Sequence, residues 1–211
     1  HMVTDLSHEF TFYFDGRFAT NYLPPADGVE ARSWGTLRKR DLSNANLLVL
    51  PCGASPCPYT PRDIEAVRRF LSEGGGVLLL GDFARFEDRP DYPLNRMARA
   101  VGAEFTEERA ADPLAAEPSL GLAAVRTYGG STLRLARTSL WRVLVRDAAG
   151  RPVLARRQMG RGAVAVASRA LCGRQPDARD PINADLWKPL LRDLAAGKRV
   201  DPAKPFDTTM P

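Results

Sequence analysis

Two residues with reactive side chains stand where apolar runs of the sequence end. Cys52 follows the run at 46–51, and Asp82 follows the run at 77–81. A thiol becomes a nucleophile when a base or a positive environment lowers its pKa, and a carboxylate at a strand end can bind a hydroxyl, a metal ion or an amine. Cys52 and Asp82 are therefore the candidate catalytic residues. The structural alternatives are a small buried side chain for Cys52 and a cap for backbone amides for Asp82.

The ends of strands also suggest where a ligand would lie. In an open α/β sheet, ligands bind outside the carboxyl ends of the strands. The residues at the ends of the predicted strands that we take as candidate ligand-binding residues are Asp15, Gly53, Asp82 and Arg169. From these residue types we expect a ligand that is small and polar.

No metal site is predicted from the cysteines. Cys52 and Cys57 are separated by four residues, and the sequence offers no second cysteine pair and no histidine pair to complete a zinc site. Asp15, Asp82 and Asp180 could converge as oxygen ligands for magnesium or calcium, but each also suits a turn. We therefore expect no metal.

No cofactor is predicted either. The glycine runs at 74–76 and 160–162 stand before strands and lack the Lys-Ser/Thr pair of a phosphate-binding loop. Both runs are typical of turns.

The elements that would position these residues begin with a strand–helix–strand unit. The run at 46–51 is continuously apolar, as in a strand buried on both faces. Thr60 is a good N-cap, Pro61 suits the first helical position, and Asp63 follows three residues after the cap. Glycines at 74–76 end this helix, and the apolar run at 77–82 is the second strand. Such a unit predicts a right-handed parallel crossover.

The remaining pattern completes a predicted fold. It indicates the following elements: a strand at 9–16, a helix that begins at 92 and ends near Gly102, a short extended piece up to 105, a loop at 107–121, a hairpin at 141–158, a strand at 163–168 and a helix at 180–198. The fold class is therefore α/β, with an open, mostly parallel sheet flanked by helices and a late antiparallel hairpin. We predict a single domain at 9–200, a lead at 1–8 that begins with a tag-like His-Met pair, and a tail at 201–211.

Composition narrows the classes of partner. The chain has 211 residues and a formal net charge of +5, and its arginines are scattered rather than clustered. No run approaches the roughly 18 apolar residues of a membrane span, and no aromatic-basic pattern indicates nucleic-acid binding. We expect neither membrane nor nucleic acid as a partner. Three cysteines without a disulfide pattern favour a reduced, cytoplasmic setting, with a secretion signal removed ahead of residue 1 left open.

Two regions of the chain resemble the class I glutamine amidotransferase-like superfamily, which has a flavodoxin-like fold. The first comprises "DLSNANLLVLPCG" and "TPRDIEAVRRFLSEGGGVLLLGD", and the second comprises "GRPVLARRQMGRGAVAVASRALCG" and "DPINADLWKPLLRDLAAGK". The resemblance implies a nucleophilic cysteine directly after the strand at 77–81, assisted by a histidine and a glutamate. Asp82 and Phe83 stand there instead, and the two histidines, His1 and His8, precede the first predicted strand.

The resemblance therefore implies the frame of an enzyme without its chemistry. We expect a non-catalytic, amidotransferase-like domain that acts as a binding, regulatory or oligomerisation module, with a protein partner or a second copy of itself. Glutaminase activity is not expected. The alternative is a hydrolase with a rearranged site at the strand ends that uses Cys52 or Asp82.

Overall fold

The fold is described by a computed structural model. It covers residues 2–5, 31–34, 42, 45–51, 59–83, 92–127, 129–172 and 182–199, the first two stretches as backbone only. The strand predicted at 9–16 and the tail predicted at 201–211 lie outside the described residues.

Eight strands form the main sheet. In chain order they are β1 (Met2–Asp5), β2 (Ala31–Trp34), β3 (Leu47–Pro51), β4 (Gly76–Gly81), β6 (Ala115–Ala116), β8 (Arg142–Arg146), β9 (Pro152–Met159) and β10 (Gly162–Ser168). Across the sheet they lie in the order β2-β1-β3-β4-β10-β9-β8-β6. A second sheet pairs β5 (Ala103–Arg109) with β7 (Ser131–Leu135).

The prediction of an open, mostly parallel, flavodoxin-like sheet is wrong. The pairs β1–β2, β1–β3, β3–β4 and β4–β10 are parallel. The pairs β9–β10, β8–β9, β6–β8 and β5–β7 are antiparallel. The described residues thus form a mixed α/β structure in which half of the strand pairings are antiparallel. The predicted hairpin, β8 and β9, adds antiparallel strands to the main sheet beyond β10.

Two boundaries also differ from the predictions. Residues 107–109 belong to β5, and β6 lies at the edge of the main sheet, so the predicted loop at 107–121 contains parts of two strands. Strand β1 lies ahead of residue 9, within the segment predicted to be a lead. Short elements of this kind were missed because their alternation is too brief to stand out in the sequence.

The strand–helix–strand unit is confirmed. Helix α1 (Pro61–Ser72) starts with a reciprocal capping box: the Thr60 backbone N–H donates to Asp63 Oδ2 over 2.6 Å, and the Asp63 N–H donates to Thr60 Oγ1. It connects β3 to β4, which pair in parallel. Because the crossover returns the chain beside the strand it left, the carboxyl ends of both strands lie at one edge of the sheet.

The helices lie on opposite faces of the main sheet. Helix α3 (Ala184–Ala195) packs on one face through its buried side chains, Leu186, Trp187, Leu190, Leu191 and Leu194. Helix α1, helix α2 (Pro93–Ala100) and the β5–β7 sheet share an apolar cluster on the other face. The central strand β4 is buried along its whole length, which explains its continuous apolar sequence.

A close backbone approach fixes α3 against the sheet. A Cβ added at Gly76 would overlap the carbonyl of Leu194 in α3, so only glycine fits at the start of β4. In the part of the chain described here, no helix combines the length and apolar composition needed to cross a membrane.

Candidate functional site

Two of the predicted site residues belong to the described part of the chain. These are Asp82, after β4, and Arg169, after β10. Asp15, Cys52 and Gly53 lie outside the described residues, as do Cys57 and Asp180. Since β4 and β10 are parallel neighbours in which Ser168 pairs with Gly81, Asp82 and Arg169 follow adjacent strands at the same edge of the sheet.

Asp82 is buried and bound to backbone. Asp82 is only 2% exposed. Its Oδ1 accepts a hydrogen bond from the Ser131 backbone N–H over 3.2 Å and another from the Ser131 hydroxyl over 3.4 Å. The Asp82 N–H donates to the Tyr92 hydroxyl over 2.8 Å. The carboxylate therefore holds the start of β7 against the end of β4.

Residues 129–131, which we call the covering segment, lie across the ends of β4 and β10. A Cβ added at Gly130 would overlap the Ser168 hydroxyl and the Ala170 side chain and would come within 3.5 Å of Asp82 Oδ1. The Gly130 carbonyl also accepts from the Ala110 N–H over 2.7 Å. Glycine is required at 130 because any side chain would collide with the strand ends.

The end of β10 is closed in a similar way. Ser168 is fully buried, and its hydroxyl accepts from the Ala170 N–H over 3.4 Å at the start of a single 3-10 turn, Arg169–Leu171. Arg169 lies in that turn, and its carbonyl accepts from the Cys172 N–H. Burial raises the pKa of the Cys172 thiol far above its ordinary value, although the positive charge of Arg169 acts in the opposite direction.

Asn183 makes a second attachment at this edge. It has a left-handed backbone, with φ of 56°, just before α3. Its side chain accepts from the Arg126 N–H over 2.9 Å and donates to the Arg126 and Leu171 carbonyls over 2.8 and 3.0 Å. The chain on either side of Tyr128 is thus held by Asn183 at Arg126 and by Asp82 at Ser131.

Sequence reasoning missed the residues that cover Asp82. The signal available was the glycine pair ahead of a serine at 129–131, which reads as an ordinary turn. Asn183 had a clearer signal, because asparagine is one of the few residues that accept a left-handed backbone.

The described residues contain no histidine that could act as a base beside these groups. The sequence has two histidines, at 1 and 8, and both lie outside the described residues. Within the described ranges, no group of three or more His, Cys, Asp or Glu side chains could hold a metal ion. What the arrangement does, chemically, is satisfy buried backbone donors.

Comparison with known proteins gives similarity of fold only. No family model matches the chain, and no curated protein matches it. Among solved structures, the mmIFT52 N-terminal domain is 13% identical with a TM-score of 0.61, over 94% of this chain and 98% of that one. The cytoplasmic protein STM3548 from Salmonella typhimurium is 14% identical with a TM-score of 0.55, over 92% of this chain and 98% of that one.

A third similar structure is an enzyme much longer than this chain. It is a beta-galactosidase from Bacillus circulans sp. alkalophilus, 17% identical with a TM-score of 0.52, and the match covers 97% of this chain but 32% of the enzyme. At such identities the similarity concerns the fold and not the residues of a site.

Proposed function

We propose that this protein is a non-catalytic module that acts in binding, regulation or oligomerisation. The observation that carries the proposal is that the covering segment fills the position outside β4 and β10 where α/β sheets usually take a ligand. Asp82 is 2% exposed, and its carboxylate already accepts hydrogen bonds from Ser131. It therefore cannot contact a substrate in this arrangement.

The relation to glutamine amidotransferases remains part of the proposal. The residue directly after β4 is Asp82 rather than cysteine, and the next residue, Phe83, is buried against Tyr92 with ring centroids 5.2 Å apart. Both residues support a packing role for the turn that carries the nucleophile in that superfamily. The reduced, cytoplasmic setting predicted from the cysteines also stays a prediction.

The experiment compares Asp82→Ala, Asp82→Asn and the wild type in denaturant unfolding. Alanine removes the acceptor of a buried N–H and a hydroxyl, so we expect Asp82→Ala to lower the free energy of unfolding by about 1–3 kcal/mol. Asparagine keeps an acceptor oxygen and should cost less. An Asp82→Ala variant as stable as the wild type would contradict the structural role assigned to this carboxylate.

Activity assays separate the proposal from the hydrolase alternative. Wild type, Asp82→Asn and Cys52→Ser are tested for glutaminase and for ester hydrolysis, and Cys52 is labelled with a thiol reagent at neutral pH. We expect no turnover that either substitution removes, and labelling no faster than that of an ordinary thiol. Turnover that is lost in Asp82→Asn or Cys52→Ser would establish the hydrolase instead.

A further inference from the structure

The connection between β7 and β8 exposes an apolar side chain next in sequence to a tryptophan on which an arginine stacks. Leu140 is 48% exposed and is the one exposed large apolar side chain among the described residues. It ends a single 3-10 turn, Thr138–Leu140, and the next residue is Trp141. We call Arg137, Leu140, Trp141 and Arg157 the Trp141 corner.

The corner has a rigid base. The Arg157 guanidinium lies 5.4 Å from the centroid of the Trp141 ring and donates to the Val101 carbonyl, at the end of α2, over 3.3 Å. The Trp141 indole N–H donates to the Ala136 carbonyl over 3.2 Å. Helix α2, the end of β7, the start of β8 and β9 therefore meet at this ring, which is only 7% exposed.

The backbone of the corner is strained at Arg137. This residue has φ of 51° and ψ of 64°, and its carbonyl accepts from the Leu140 N–H over 2.9 Å. A left-handed backbone is strained for an arginine, whereas glycine and asparagine adopt it more readily. Strain kept at an exposed position points to a role for the side chain.

The surroundings of the corner are positively charged. Glu104 is paired with two arginines, Arg99 over 2.7 Å and Arg134 over 2.8 Å. Within the described residues, Arg137 and Arg157 form no ion pair. With Arg142, which follows Trp141 and pairs with Glu117, this part of the chain carries five arginines and two carboxylates, and the excess of positive charge suits carboxylates of a partner.

We propose that the Trp141 corner binds a segment of a partner protein in which acidic and apolar side chains alternate. Leu140 contacts the apolar side chain, and Arg137 and Arg157 pair with the carboxylates. This inference rests on the proposed binding function and gives it a surface and a partner chemistry.

A protein segment fits the corner better than the other anionic partners. Nucleic-acid binding would use an open aromatic face for base stacking, but the Trp141 ring is buried beneath Arg157. Membrane binding would need a wide apolar face, whereas this corner offers a single exposed leucine.

The test is selection from a random peptide-display library against the wild type. The corner variant carries Arg137→Asn and Leu140→Ser; asparagine keeps the left-handed backbone, and both sites are exposed, so the fold is retained. Arg68→Gln, which removes one exposed charge from α1, is the matched control. We expect enriched peptides to combine Asp or Glu with apolar residues, and to bind the corner variant at least about tenfold more weakly than the wild type or the control.

Three results would overturn the assignment. They are no enrichment, enriched peptides that bind the corner variant as tightly as the wild type, and a preference of the corner for single-stranded DNA or phosphatidylserine vesicles over the peptides. Peptides that bind equally to all three proteins would leave the binding function standing and place it elsewhere on the surface. Hydrolytic turnover in the assays above would instead remove the binding function itself.

Discussion

Buried carboxylates in this protein hold backbone amides in place. Asp63, Asp82 and Asp147 are each at most 4% exposed, and each accepts hydrogen bonds from backbone N–H groups. A buried charge is tolerated only when it is paired or hydrogen-bonded. Asp82, directly after β4, thus behaves like Asp63 in the first turn of α1 and Asp147 in the turn between β8 and β9.

Asp147 shows the same behaviour with the most partners. It accepts from the N–H groups of Ala111, Ala149 and Arg151 and from the Arg151 guanidinium. Burial alone would raise the pKa of the Asp147 carboxyl, but the hydrogen bonds from Arg151, Ala111 and the Arg151 backbone outweigh it and hold the pKa below its ordinary value. The folded state therefore favours the ionised form.

The pH dependence of stability follows from this shift. A carboxyl with a lowered pKa in the folded state contributes stability above the unfolded value of about 3.9, and loses that contribution as pH falls through the folded pKa. We expect Asp147→Asn to be less stable than the wild type at pH 7, with the gap narrowing below about pH 4. Urea unfolding at pH 7, 5 and 3 measures it. Glu107→Gln, at an exposed site on β5, is the control for the loss of one carboxylate. A gap for Asp147→Asn that stays constant down to pH 3 would contradict the assignment.

At the scale of elements, the side chain of Asn95 makes the hydrogen bonds that a neighbouring strand would make at the edge of β5. The Asn95 amide of α2 donates to the Phe105 carbonyl over 2.9 Å, and its oxygen accepts from the Phe105 N–H over 2.7 Å. Both residues are buried, so the N–H and C=O groups of Phe105 cannot form hydrogen bonds with water instead. Asn95 thereby fixes α2 against β5.

Asn95→Ala should therefore be costly. It leaves a buried N–H and a buried C=O of Phe105 without their partner, for an expected loss of about 2–5 kcal/mol in the free energy of unfolding. Hydrogen exchange of the Phe105 amide should become faster by a larger factor than that of amides in β10. Arg96→Ala, at the neighbouring exposed position of α2, is the control and should change both measurements little. Equal stability of Asn95→Ala and the wild type would show that the edge is satisfied in another way.

At the scale of the whole molecule, the main sheet separates two apolar clusters. Cys172 is buried in the same apolar cluster as Trp187 and Leu191 of α3. The Trp187 indole donates to the Leu171 carbonyl over 3.1 Å, which ties α3 to the end of β10. Modification of the thiol thus requires this cluster to open.

Labelling of Cys172 should therefore report unfolding. In a Cys52→Ser/Cys57→Ser variant, we expect the thiol to be inert to a maleimide under native conditions and to react with the same urea midpoint as the circular dichroism signal. Burial and the raised pKa act in the same direction here, since both reduce the exposed thiolate. A Cys172→Ser variant is the blank. Labelling that precedes global unfolding would reveal local opening of the cluster.

The elements that the sequence predicted are those set by near neighbours. The capping residues at Thr60 and Asp63, the strand–helix–strand unit and the hairpin of β8 and β9 depend on spacings of a few residues, and the structure confirms them. The spacing of residues could not predict the burial of Asp82, because Ser131, which hydrogen-bonds to it, is 49 residues away.

The sequence by itself determined where α1 begins, the hairpin of β8 and β9 and the apolar character of the central strands. It did so because these properties depend on contacts within one or two turns of chain. The tertiary structure alone decided that the sheet is mixed and that the covering segment closes the strand ends. It also decided that Asn183 holds Arg126, 57 residues away. Such choices depend on which distant segments pack together, and no local pattern records them.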